Sequence, residues 1–205
     1  MTTARIRVLT ALAAGALAMS VASACTDETT ALPKPRAYPR VEYPSGEPTA
    51  FAVEVCPFGF QYPDYVDVVR DTAYFESEPV HPCWFDLVTP QLNGRVHFSY
   101  YPIGDRATFE QLRDDAFDLA GKHNIVADYI DEIPINRPAA DVHGFAFALS
   151  GDVASPFQFY VTDSTNHFLR GSVYVNARAA ADSLAPVYAF LRDDVLGVVE
   201  TLEWE

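Results

Sequence analysis

Apolar residues recur at every second position in several short runs of the chain. One run places Val96, Phe98 and Tyr100 on the same side, directly after a turn at Asn93-Gly94. Such alternation, bounded by Gly, Pro and Asn, predicts antiparallel strands with one buried face. The predicted strands lie at 51–56, 65–70, 83–88, 95–101, 126–132, 142–150, 156–162 and 167–176.

Two segments show a spacing of three and four residues, which predicts a helix with one buried face. The first begins at a capping box formed by Thr108 and Gln111. The second is capped by Asp182 or Ser183, with Pro186 in its first turn. The stripes consist of Phe109, Leu112, Ala116, Leu119 and His123, and of Leu184, Val187, Leu191, Val195, Val198 and Leu202.

These elements predict an α+β fold, in which a mostly antiparallel sheet is covered by two helices. A βαβ repeat is absent from the pattern. The order of the elements is similar to that of the Mog1/PsbP-type sandwich, and this analogy of fold carries no function.

The N-terminus has the layout of a bacterial export signal. Arg5 and Arg7 precede an apolar run at 8–21, which is followed by Ala22-Ser23-Ala24 and then Cys25. The run is short for a membrane span, which needs about 20 residues. We therefore predict a signal peptide over residues 1–24.

Two processing routes remain open at the bond before Cys25. Ala22-Ser23-Ala24 fits the A-x-A rule for simple secretion. Small residues before a cysteine also resemble a lipobox, although Ala22 stands where that motif usually has Leu. Lipidation of Cys25 is favoured because a proline-rich segment follows it, and two acyl chains would anchor the protein firmly.

Residues 25–50 are predicted to be a lipid anchor and tether, followed by one domain at 51–205. Five of the chain's 15 prolines fall in this segment. Lys34, Arg36, Tyr38 and Arg40 are interleaved with them. These residues would either contact the domain or a partner, or belong to a linker whose tyrosines pack loosely.

The charge of the chain disfavours nucleic acid as a partner. It has 14 Lys and Arg against 28 Asp and Glu, for a formal net charge of −14. Such a chain repels phosphate on average. Loss of residues 1–24 removes Arg5 and Arg7 but no acid, which leaves 12 bases against 28 acids, or −16. An anionic membrane would also repel it, so we expect attachment through a lipid.

Cys56 and Cys83 remain after Cys25. An even pair of cysteines in an exported chain predicts a disulfide. The chain has no CxxC motif, and its five histidines are scattered without ligand spacing. A metal or redox site is therefore disfavoured, and no P-loop or dinucleotide fingerprint indicates a cofactor.

The densest polar cluster runs from Thr162 to Gly171 and contains Asp163, Ser164 and His167. A hydrolase must be considered, but a triad needs groups that converge from separate elements, and a GxSxG motif is absent. A turn stabilised by side-chain bonds to backbone amides is the simpler interpretation. A recognition loop with His167 and Arg170 flanking the turn lies between the two.

Several segments together resemble the gliding-motility lipoprotein family of the GldD type, over nearly all of residues 25–205. They are Pro33–Arg40, Phe60–Pro63, Trp84–Leu87, Leu119–His123, Ser155–Thr165, His167–Gly171, Asp182–Pro186 and Thr201–Trp204. The longest, with Thr162 and Asp163 near its end, is the most specific. Cys56 and Cys83 look like additions to the family pattern.

The resemblance implies a cell-envelope lipoprotein without enzymatic activity, required for gliding and working with the machinery of gliding and type IX secretion. Its anchor would lie in the outer membrane rather than the inner. Two candidate contact surfaces follow: Lys34, Arg36, Tyr38 and Arg40 in the tether, and Thr162, Asp163, Ser164, His167 and Arg170 in the hairpin.

Two alternatives stay open. One is a periplasmic or surface module that binds a small ligand or polysaccharide through aromatic residues such as Trp84, Tyr100 and Tyr101. The other, less favoured, is a hydrolase that uses Ser164 or carboxylates.

Overall fold

The computed structural model describes residues 40–70, 81–177 and 181–205. The predicted signal peptide, Cys25, Lys34, Arg36 and Tyr38 lie outside these residues. The strands are β1 Pro48–Phe51, β2 Phe58–Pro63, β3 Asp67–Arg70, β4 Phe85–Thr89, β5 Gly94–Pro102, β6 Ala127–Arg137, β7 Val142–Gly151, β8 Phe157–Thr162, β9 His167–Val175 and β10 Glu203–Trp204. The α-helices are α1 Arg106–Gly121 and α2 Ala181–Thr201, and short 3-10 helices occupy Pro90–Leu92, Lys122–Ile125 and Pro138–Ala140.

Seven strands form one antiparallel sheet in the order β3-β4-β5-β9-β8-β7-β6. The central pair joins β5 to β9 along its full length, with Val96 opposite Val173. A second, three-stranded sheet has the order β1-β2-β10 and is also antiparallel. The α+β fold with a mostly antiparallel sheet and two α-helices is thus confirmed.

One face of the large sheet builds the main core together with α2 and the small sheet. The predicted inward positions Val96, Phe98 and Tyr100 all lie in this cluster. They pack with the helical stripe, of which Leu191 and Val195 are 1% exposed. Burial of these alternating side chains is what fixes the register of the strands.

The opposite face is covered at one end by α1. Phe109, Ala116 and Ala120 of the helix are buried against Tyr160 of β8 and Phe168 of β9. The acidic residues predicted to face water do so, since Asp114, Asp115 and Asp118 are exposed. The two faces of β8 and β9 therefore belong to two different apolar clusters.

The start of α1 differs from the prediction. Its N-cap is Asp105, whose carboxylate accepts hydrogen bonds from the Thr108 backbone N–H and from the Thr108 hydroxyl, both at 2.7 Å. The predicted capping box at Thr108 and Gln111 is therefore wrong. A carboxylate one turn upstream satisfies the free backbone donor, and the Thr108 hydroxyl donates to it.

Other elements differ as well. Strands β2 and β10 were not predicted, and β6 continues to Arg137, beyond the expected end at residue 132. The strand expected at 51–56 ends at Phe51, because the chain turns at Val53, whose carbonyl accepts from the Cys56 backbone N–H at 2.7 Å. Helix α2 already includes Asp182, so neither Asp182 nor Ser183 is its cap, and Pro186 lies inside the helix.

A disulfide joins Cys56 to Cys83, as predicted, with 5.3 Å between the two Cα atoms. Both cysteines are buried. The bridge links the turn that precedes β2 to the segment that leads into β4. It therefore connects the small sheet to the large one covalently.

Candidate functional site at the hairpin between β8 and β9

Asp163 organises the turn between β8 and β9. Its Oδ1 accepts hydrogen bonds from the backbone N–H groups of Thr165, Asn166 and His167, at 2.9, 2.8 and 2.8 Å. Its Oδ2 accepts from the Thr165 hydroxyl and the Asn166 side-chain amide. Residue 164 has a positive φ of 66°, a left-handed conformation that a serine adopts only when its surroundings hold it there. The predicted turn stabilised by side-chain bonds is confirmed.

The charge of Asp163 is part of this turn. Partial burial alone would raise the pKa of its carboxyl group, but the three backbone N–H donors outweigh burial and lower the pKa to about 2. The carboxylate is thus ionised at neutral pH and is already occupied by the backbone.

The hairpin does not bring a Ser-His-Asp chain together. Asp163 binds backbone amides rather than the His167 ring. The His167 Nδ1 atom instead lies 2.9 Å from the Tyr100 hydroxyl. A catalytic triad requires the acid to hydrogen-bond the histidine and the histidine to hydrogen-bond the nucleophile. Neither contact is present here, because Asp163 bonds the backbone of the turn and His167 bonds Tyr100.

The His167 ring lies in an aromatic cluster that sequence reasoning did not assemble. It stacks on Trp204 with 5.2 Å between ring centroids and 13° between planes. The Trp204 indole N–H donates to the Asp141 carbonyl at 3.0 Å, and its ring meets Phe58 edge-on. Trp204 is the final residue of Thr201–Trp204, the last segment that resembles the family. That resemblance is the feature of the sequence that could have pointed to Trp204.

Two neighbours complete this cluster. Tyr100 is buried, and burial together with the nearby Asp163 charge raises the pKa of its phenol. The His81 ring meets Tyr100 edge-on at 4.8 Å, and its Nδ1 accepts from the Cys83 backbone N–H. Burial lowers the pKa of His81. Tyr100 of β5 thus contacts the hairpin directly at His167, and His81, next to the disulfide, packs behind Tyr100.

His167 and Arg170 do not flank a common surface. They are three residues apart on β9, so their side chains leave opposite faces of the sheet. His167 lies with Tyr100 and Trp204, while Arg170 lines cavities on the other face with Tyr101. The five predicted hairpin residues thus form two surfaces.

The predicted aromatic ligand platform divides in the same way. Trp84 and Tyr101 lie together, with 5.5 Å between their ring centroids. Tyr100 is 3% exposed and packs in the main core on the opposite face. Of the predicted tether residues, Arg40 lies within the described part of the chain and is exposed.

Two kinds of feature are not found in the described part of the chain. Residues 40–70, 81–177 and 181–205 hold no group of three or more His, Cys, Asp or Glu side chains that could bind a metal ion. The helices within these ranges are too short or too polar to cross a bilayer.

The comparisons with known proteins give one family. The model of the family described as "Gliding motility lipoprotein GldD" matches residues 28–204. No curated protein matches the chain. The match spans the strands β1–β10 and the helices α1 and α2 of the described residues, including Trp204 beside His167. The chain therefore belongs to the GldD family of gliding motility lipoproteins.

Proposed function

We propose that this protein is a non-enzymatic lipoprotein of the cell envelope that supports the gliding and type IX secretion machinery, anchored through Cys25. The observation that carries the proposal is the family match over residues 28–204, which leaves out little more than the predicted signal peptide. An outer-membrane anchor is favoured over an inner one by the resemblance.

The tip of the β8–β9 hairpin is one surface proposed to contact this machinery. Thr165 and Asn166 are exposed there, on a turn that Asp163 holds in one conformation. A rigid tip loses little conformational entropy when a partner binds it. Lys34, Arg36, Tyr38 and Arg40 of the tether remain the second proposed contact surface.

Deletion of the gene tests the proposed role directly. In the bacterium that carries it, we expect the deletion strain to lose spreading on agar and export of surface adhesins, and plasmid-borne wild-type protein to restore both. A strain expressing Ser164→Ala should spread normally, because the proposal assigns no chemistry to that hydroxyl. Normal spreading and normal adhesin export in the deletion strain would contradict the proposal.

The anchor has a separate test. Cys25→Ser removes the sulfur that receives the lipid, so we expect the protein to move from the membrane pellet to the soluble fraction after cell lysis. Thr26→Ser, the neighbouring change that keeps the cysteine, should leave it in the pellet. If the Cys25→Ser protein stays membrane-bound after a high-salt wash, lipid anchoring at this residue is refuted.

A further inference from the structure

The face of the large sheet opposite α2 carries a polar groove over β4, β5 and β9. At its centre is a cavity of about 60 Å³ whose walls include Trp84, His97, Tyr101 and Arg170. The hydroxyl-bearing residues Ser99 and Ser172 also line it. Polar groups of this kind on a concave surface, beside aromatic rings, are typical of a ligand site.

Two larger cavities lie beside the central one and share lining residues with it. It shares Tyr101 and Arg170 with a cavity of about 370 Å³ beside α1. It shares Tyr174 with a cavity of about 460 Å³ that Arg95 lines. We call the three together the sheet groove. From Arg95 to Tyr101 it follows β5 for roughly 20 Å, which suits an extended ligand better than a single small molecule.

The sheet groove carries two arginines, Arg170 in its central cavity and Arg95 at one end, in an acidic protein. Arg170 makes no hydrogen bond or ion pair within the described part of the chain, while the whole chain has a net charge of −14. Asp86 is 3% exposed and turns its carboxylate to Arg95 at 2.8 Å and to His97. The Arg95 side chain is nevertheless 52% exposed, so the cation faces solvent while its acid is buried.

Among the lining residues that the structure describes, exposed acids occur at the α1 end of the groove. Asp115 and Asp118 line the cavity beside α1, together with Lys122. The two cavities that contain Tyr174 have no exposed carboxylate in their walls. A ligand lying between Arg170 and Arg95 would therefore meet two guanidinium groups. That of Arg170 can bind a carboxylate through two parallel hydrogen bonds, and that of Arg95 keeps N–H donors beyond the one given to Asp86.

The sheet groove is poorly suited to an acidic peptide. A bound peptide strand needs an open sheet edge for its backbone hydrogen bonds. Strand β4 is paired with β3 and β5, β5 with β4 and β9, and β9 with β5 and β8, so none of the three offers a free edge. What the groove presents is side chains: hydroxyl groups, guanidinium groups and the rings of Tyr101 and Tyr174. Sugar rings, with C–H faces for the aromatic rings and hydroxyl edges for the polar groups, match this lining.

We propose that the sheet groove binds an acidic oligosaccharide. One uronate carboxylate lies on Arg170 and a second on Arg95, and the sugar rings pack on Tyr101 and Tyr174. This binding activity is additional to the proposed role in gliding and does not depend on it.

Calorimetric titration of the purified full chain in detergent, with tetragalacturonate as the probe, tests the proposal. We expect measurable binding that weakens as salt is raised. Arg170→Gln should lower the affinity at least tenfold. Tyr174→Ala should do the same, and since Tyr174 is 37% exposed, this second variant folds without a large cost. Arg192→Gln is the matched control, because Arg192 is an exposed arginine on α2 that pairs with its neighbour Asp193.

Neutral cellotetraose and a hexaglutamate peptide complete the experiment. Neither should bind measurably, since the first lacks carboxylates and the second lacks sugar rings. The proposal is overturned if tetragalacturonate does not bind, if either control ligand binds as tightly, or if Arg170→Gln and Tyr174→Ala bind like wild type. The binding experiment and the deletion experiment are independent. Absence of tetragalacturonate binding would overturn this proposal alone, whereas normal spreading of the deletion strain would overturn the gliding proposal alone.

Discussion

Replacing both Cys56 and Cys83 with alanine should lower the free energy of unfolding by about 3–4 kcal/mol, on the chain-entropy account of cross-links. The bridge joins residues 27 positions apart, so its removal frees a long loop in the unfolded chain. The double variant and the parent protein with which it is compared should both carry Cys25→Ser, so that no third thiol can exchange with the bridge. Urea denaturation, monitored by tryptophan fluorescence, gives the two free energies of unfolding. The slope of the free energy against urea concentration checks for two-state behaviour.

Reduction of the parent protein is the matched control for this pair of substitutions. Dithiothreitol breaks the same bridge without removing the buried sulfur atoms. The denaturation midpoint of the reduced parent should therefore be close to that of the double variant. Dithiothreitol should leave the double variant itself unchanged. Equal denaturation midpoints for the oxidised parent and the double variant would contradict the expected effect. Free thiols at both positions in protein purified from the envelope would mean that the bridge does not form in the cell.

The central strands of the large sheet could be predicted because their burial is local and periodic. Val96, Phe98 and Tyr100 alternate with polar residues, and one buried face is enough to indicate a strand and its orientation. The turn at Asp163 was predictable for a similar reason, since a short acidic side chain next to Ser and Thr bonds backbone amides within the same few residues.

Boundaries were harder to predict because competing local bonds decide them. Asp105 and Thr108 are both acceptable caps, and the carboxylate accepts from both the backbone N–H and the hydroxyl of Thr108. Nothing in the pattern of apolar residues ranks the two. The end of β1 at Phe51 likewise depends on a turn that leads Cys56 to its partner in another part of the chain.

The sites depend on contacts between distant parts of the chain, which periodicity does not contain. The sheet groove exists because β5 lies beside β9, a pairing that joins Ser99 to Arg170. The stacking of His167 on Trp204 also requires the C-terminus to return to the small sheet. One feature could have been predicted from the sequence. Side chains three residues apart on a strand point to opposite faces of the sheet, so His167 and Arg170 were bound to lie on different faces.

Replacing Asp163 with alanine should lower the free energy of unfolding by about 2–4 kcal/mol at pH 7, because three backbone N–H groups lose a charged acceptor. The left-handed Ser164 would also lose the turn that holds it. Asp131→Ala is the matched control: Asp131 is an exposed carboxylate on β6 without a hydrogen bond to the rest of the described chain, and its loss should change stability by less than about 0.5 kcal/mol. Urea denaturation of the three proteins measures the difference.

The pH dependence distinguishes the charge of Asp163 from its shape. The pKa of its carboxyl group falls from 3.8 in the unfolded chain to about 2 in the folded protein. A lowered pKa contributes stability that is fully present above about pH 4 and is lost as the pH falls towards 2. Because the group is only partly buried, screening by solvent reduces this contribution to about 1–2 kcal/mol. Asp163→Asn keeps an acceptor oxygen but does not titrate, so the difference in stability between it and wild type should shrink by that amount between pH 5 and pH 2. A difference that stays constant over this range would mean that the turn depends on hydrogen-bond geometry and not on the charge.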